Sequence, residues 1–169
     1  DAVQVTYIYK IDGKEYVREV VPQEKNSEVS VPEQAFLTVE SSEGTIGESD
    51  CEIVVNCSAA LPFVAAADAE SIDTWYYVKM HSNTPKYIQY LADQTYIEWT
   101  DAEMDETAKD TYTWAFVGNI FDGFKVVNKA AAKAMQSTAD GAVVLVDYAD
   151  ASQYVLDPTR ETSEAAQTG

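Results

Sequence analysis

TYTWAFVGNIFDGFKVVNKAAAKAMQ, residues Thr111–Gln136, decides the fold. Around Trp114 the run TYTWAFV carries aromatic and β-branched residues at strand length, which fits a pleated, half-buried surface. A short Gly-containing loop follows, then GFKVVN alternates from Gly123 to Asn128. The spacing predicts two strands joined by a tight connection. The next stretch, NKAAAKAMQ, reads either as another strand or as a helical turn, because Ala, Lys, Met and Gln are good helix formers.

Working outward, the same signals recur on both sides. Toward the N-terminus, VQVTYIYKI alternates Val3, Val5, Tyr7 and Tyr9 with Gln4, Thr6, Ile8 and Lys10. DGKEYVREVV follows at once, and Asp12-Gly13 between two alternating runs is a hairpin signal, since both residues tolerate the positive φ of a type I′ turn. SEVSV, AFLTVES, GTIG and CEIVVNC supply further short runs. None of this region has helical periodicity, and its runs recur as they do in small β-sandwiches. The reading is a small β-sandwich-like accessory domain over 1–66. AALPFVAAADAESIDT, filled with small residues, is a connector ending near Asp73.

Beyond the connector lie all three Trp and eight of the eleven Tyr. Eight strands are expected there: TWYYVKM, KYIQYL, TYIEW, TYTWAFV, GFKVVNK, KAMQS, AVVLVDY and SQYVLD. They fall into two blocks with one order of parts: a strand, a turn rich in small residues or Pro, two further strands, and a fourth strand with a central aromatic. Trp114 and Tyr154, the fourth-strand aromatics, stand 40 residues apart, and the first-strand aromatics Tyr77 and Phe124 stand 47 apart. The difference falls in the acidic insertion TDAEMDETAKD.

On these residues the chain resembles the divergent ricin-type β-trefoil lectin modules of secreted and surface proteins of Bacteroidetes. In that family each unit has four strands, with G-x-[FY]-x-[IV]-x-N in the first and Q-x-W in the fourth. GFKVVN at Gly123–Asn128 is similar to the first motif; YTWAFV at Tyr112–Val117 and SQYVLD at Ser152–Asp157 are similar to the second. Tyr112 stands where the family has Gln, and Gln153 adjoins Tyr154 instead of preceding it by two. The resemblance covers Trp75 to Pro158 and implies a β-trefoil-like domain over 73–169 with two of three units visible. The fold class is therefore all-β.

Charge and residue inventory narrow the function. With 29 acidic and 11 basic residues the formal net charge is −18, so the field of the chain repels nucleic-acid backbones and anionic lipid. No window approaches the length of an apolar membrane span, and membrane insertion is not expected. The sequence opens at Asp1, which we read as a mature or trimmed form of a precursor with a leader.

Cys51 and Cys57 share one expected strand, where six residues of extended chain span roughly 20 Å, beyond disulfide reach. They are either free thiols or are paired after a chain reversal.

A single His, His81, excludes a multi-His zinc site, and any Ser-His-Asp arrangement would rest on it alone. DAEMDE at Asp101–Glu106 puts Glu106 where a calcium loop requires Gly. No phosphate-loop or nucleophile-elbow motif occurs. The reading is a protein without catalytic residues, metal or cofactor.

What remains is the aromatic surplus. Sugar sites pair an exposed aromatic platform with side chains that bond hydroxyls, and KYIQYLADQTYIEWTD concentrates both. The expected carbohydrate-binding residues are Trp99, Tyr90, Tyr96, Gln94 and Asp101, together with Asn128, which matches the family's first-strand Asn. Trp75 and Trp114, flanked by apolar residues, are expected in the core. The chain thus reads as a non-catalytic, extracytoplasmic glycan-binding module, secreted or anchored at the outer surface, belonging to a larger parent chain with further domains. The alternative is a structural or protein-interaction module without sugar binding.

Overall fold

The computed structural model describes residues 1–80, 86–91, 95, 97–100 and 105–157, the side chains at 80, 99 and 100 excepted. Strands make up 51% and helices 9% of the described residues, so the class is all-β. The chain divides between Leu61 and Pro62 into two compact units.

The first unit is one four-stranded sheet built from β1 (Ala2–Ile11), β2 (Lys14–Glu24), β3 (Leu37–Glu43) and β4 (Cys51–Ala59), in the order β2-β1-β4-β3. β1 and β2 form the expected hairpin. Asp12 and Gly13 at its tip have φ of 49° and 79°, the left-handed pair that a type I′ turn demands. β4 lies parallel to β1, with Val5, Tyr7, Tyr9 and Ile11 beside Cys51, Ile53, Val55 and Cys57. Since neighbours in register share a face, these residues form one apolar side, and all but Cys51 are buried.

A sandwich would set a second sheet against that side; residues 1–61 hold only one. SEVSV, expected as a strand, is instead part of an irregular strap over 27–36. The strap is tied to the sheet through side chains. Tyr7 Oη donates to Gln23 Oε1, Gln23 Nε2 donates to Ser30 O at 2.9 Å, Tyr9 Oη donates to Pro32 O, and Gln34 Nε2 donates to Glu19 Oε2. GTIG likewise forms no strand, though its Ile46 is buried. Both cysteines are free. Burial, then the charge of Glu40, pushes the Cys57 thiol up, which keeps it protonated and inert near neutrality.

In the second unit β5 (Ala65–Ala66), β6 (Tyr76–Tyr77), β7 (Lys79–Met80), β8 (Lys86–Tyr90) and β9 (Ile97–Thr100) precede β10 (Thr113–Asn119), β11 (Gly123–Asn128), β12 (Lys133–Ser137) and β13 (Val143–Val146). One sheet runs β13-β12-β11-β10-β5, with β6 also on β10, and a second runs β7-β8-β9. No closed barrel forms among the described residues. The expected connector belongs to this unit: Ala65 and Ala66 pair in parallel with Phe116 and Val117, and Phe63 stacks on Phe116 with ring centroids 3.9 Å apart.

Thr111–Gln136 resolves as the hairpin β10–β11, with Trp114 opposite Asn128 and Asn119 opposite Gly123. The hairpin is close-packed at its tip. A Cβ added to Gly118 would sit 2.1 Å from Gly123 O, so only glycine fits there. NKAAAKAMQ yields a turn and then β12, the strand reading. SQYVLD forms a single bridge, Tyr154 to Phe124, rather than a strand.

In both sequence blocks the first strand meets the fourth antiparallel: Tyr76 and Tyr77 pair with Trp114 and Thr113, and Phe124 bridges Tyr154. Trp114 is fully buried with Val78, Phe116 and Val126, and its Nε1 donates to Ile88 O at 3.1 Å.

Candidate functional site

The expected sugar-contact residues fall in three groups. Gln94, Tyr96 and Asp101 lie outside the described residues, as does His81. Tyr90 and Trp99 belong to the β8–β9 hairpin, where Trp99 pairs with Ile88 and Tyr90 with Ile97; Tyr90 is half-buried, and the Trp99 side chain is outside what is described. Asn128 is placed in the interior. It is fully buried, its Nδ2 donates to Thr111 O at 3.0 Å and its Oδ1 accepts from Ala131 N at 3.0 Å. The carbonyl end holds the turn between β11 and β12 and the amide end ties it to the residue ahead of β10, so the side chain has a structural role, and Asn128 also stands at the floor of the cleft described next.

The structure places a cleft elsewhere, around Trp75. This residue precedes β6, so strand alternation does not govern it, and it is half-buried at the edge of the cluster Val117, Val127 and Ala134 rather than inside it. Trp75 and Tyr148 line a cavity of about 340 Å³ with Ile72, Val127, Lys129 and Ala132.

Each wall has a local cause. Asp68 opens a 3-10 turn at Ala69–Ser71 with a reciprocal cap: its Oδ1 accepts from Ser71 N at 2.9 Å and its own N–H donates to Ser71 Oγ at 3.2 Å. That turn sets Ala69 and Ile72 at the rim. Tyr148 begins a second 3-10 turn, Tyr148–Asp150, and is fastened by Lys125, whose Nζ donates to Tyr148 O at 2.6 Å and lies 4.4 Å from its ring centroid. Ala132, with φ of 52°, brings the chain back beside Asn128 at the floor.

Electrostatically the rim is divided. Lys129 Nζ stands 5.6 Å from the Trp75 ring centroid and 3.7 Å from Asp110 Oδ1. At the other wall burial, followed by the charges of Glu70 and Asp68, pushes the Tyr148 phenol up, so it is neutral around pH 7 and serves as a hydrogen-bonding group. Aromatic walls beside the Lys129–Asp110 pair suit the binding of a polyhydroxylated ligand. Among the described residues no group of three His, Cys, Asp or Glu side chains could hold a metal ion, and no helix is long and apolar enough to cross a membrane.

Sequence reasoning missed this cleft because its walls lie far apart in the chain. Trp75 in DTWYY and Tyr148 in VDYAD show no shared motif. Compared with known proteins, the chain matches no family model, no curated sequence and no solved structure.

Proposed function

We propose that the chain is a non-catalytic, extracytoplasmic carbohydrate-binding module of a larger secreted or surface bacterial protein. The observation that carries this reading is the Trp75–Tyr148 cleft. A half-buried indole and a phenol line a cavity that also carries the Lys129 ammonium, itself paired with Asp110, and this joins aromatic surface to polar groups as the flat C–H face and the hydroxyl ring of a sugar require. The trefoil-like reading of the second unit goes with it. It is supported by the repeated pairing of first with fourth strand in the two blocks.

A glycan array followed by titration calorimetry tests the function. Trp75→Ala should remove detectable binding while the near-ultraviolet dichroism of the buried Trp114 is retained. Trp99→Ala, which alters the β8–β9 hairpin instead, should leave affinity within about twofold. The reverse pattern moves the site to the hairpin. Absence of binding by the parent chain across the array favours the protein-interaction alternative. One stacked ring is worth about 1 kcal/mol, so a single module binds weakly and gains from attachment to others.

A further inference from the structure

We infer that the Trp75–Tyr148 cleft takes the end of a saccharide, one or two rings, and not an internal stretch of an extended chain; this rests on the carbohydrate-binding reading above. Three observations converge.

The first is size. At about 340 Å³ the cavity stands at the lower bound of small-molecule sites, which run from about 300 to 1,000 Å³. The second is the use of the ring faces. Lys125 lies over Tyr148 at 4.4 Å and Lys129 over Trp75 at 5.6 Å, so each wall has one face already taken by a cation and at most one left for a ligand.

The third is what lies beyond the cleft. A site for a long polysaccharide continues as a row of exposed rings, each meeting a successive residue. Among the described residues Tyr77 is the only large aromatic counted as exposed, and it does not line the cleft.

The polar rim orients the ring. Lys129 is paired with Asp110 at 3.7 Å, with both side chains about half exposed, and such a pair contributes little and exchanges readily. Its ammonium therefore turns to a ring hydroxyl or ring oxygen at the Trp75 wall.

The test is a length series. Cello-, xylo- and manno-oligosaccharides of one to six rings are titrated calorimetrically into the whole chain, Lys129→Met and Trp75→Ala. Affinity for the recognised series should rise from one ring to two and stay within about twofold from two to six. Lys129→Met, which keeps the aliphatic stem, should weaken the two-ring ligand about tenfold, as loss of a charged hydrogen bond does, without changing the length profile. A rise of tenfold or more between two and six rings overturns the end-binding inference while leaving the carbohydrate reading intact. No heat with any series, taken with a blank glycan array, overturns both.

Discussion

The two units close their sheets by different means, and the contrast shows what settles the position of an aromatic residue. In the first unit Tyr7 and Tyr9 are fully buried, and each hydroxyl ends on a protein acceptor, Gln23 Oε1 or Pro32 O. The rings fill the apolar face and the hydroxyls fasten the strap that covers it. In the second unit Trp114 follows the same rule, its indole N–H satisfied by Ile88 O. Trp75 and Tyr148 stand apart: half-buried, approached by lysine ammoniums and opening on a cavity. A buried aromatic whose polar handle is fastened acts as framework. One left at an edge beside charge is available to a ligand.

The largest expected effect tests the framework of the second unit. Trp114→Ala should cost about 3–5 kcal/mol, as truncation of a large core aromatic does, measured by denaturant unfolding. A loss under about 1 kcal/mol would place Trp114 with Trp75 and erase the contrast. Next, Asn128→Ala leaves Thr111 O and Ala131 N without their partner in the interior and should cost about 2 kcal/mol. A glycan affinity that fell without any loss of stability would return Asn128 to the site.

In the first unit Tyr9→Phe keeps the ring and removes the bond to Pro32 O, for about 1 kcal/mol. Burial, ahead of the other influences, pushes the Tyr9 phenol up to about 12 from an ordinary 10.0. The neutral form is therefore favoured in the folded state. Its contribution to stability is full below pH 10 and is lost as pH rises from 10 toward 12. Alkaline unfolding curves of the parent chain and Tyr9→Phe should converge over that interval. The smallest effect belongs to Val20, 56% exposed on β2: Val20→Thr should change stability by less than about 0.5 kcal/mol.

Legibility followed the range of the interaction. Asp12-Gly13 and the β10–β11 hairpin were readable because turn chemistry and alternation are local. The parallel pairing of β1 with β4 was not, since no local pattern records which distant strand lies beside Val5. SEVSV alternates like a strand yet forms strap, because side chains of Tyr7, Tyr9 and Gln23 reach its neighbourhood before another strand can. Of the expected site, Tyr90 and Trp99 lie on strands as read, and the pairing of those strands came from the structure. The burial of Asn128 was not legible, because a motif reports identity and not exposure. Trp75 was assigned to the core by its apolar neighbours, and only the fold brings Tyr148 to it.

The parallel contact between β1 and β4 also orders events in time. The β1–β2 hairpin closes over a two-residue turn, on the microsecond scale of hairpins generally. β1 meets its other neighbour only when a segment 46 residues away arrives, as the Gln4 N to Asp50 Oδ1 bond measures. Long-range closure of this kind is the slow step for a sheet. In the interval Val5, Tyr7 and Tyr9 line an unpaired strand edge in water, a surface that neighbouring chains would also fit. The yield of refolding should therefore fall with protein concentration while native stability does not, and the vulnerable moment ends when Ile53 and Val55 dock.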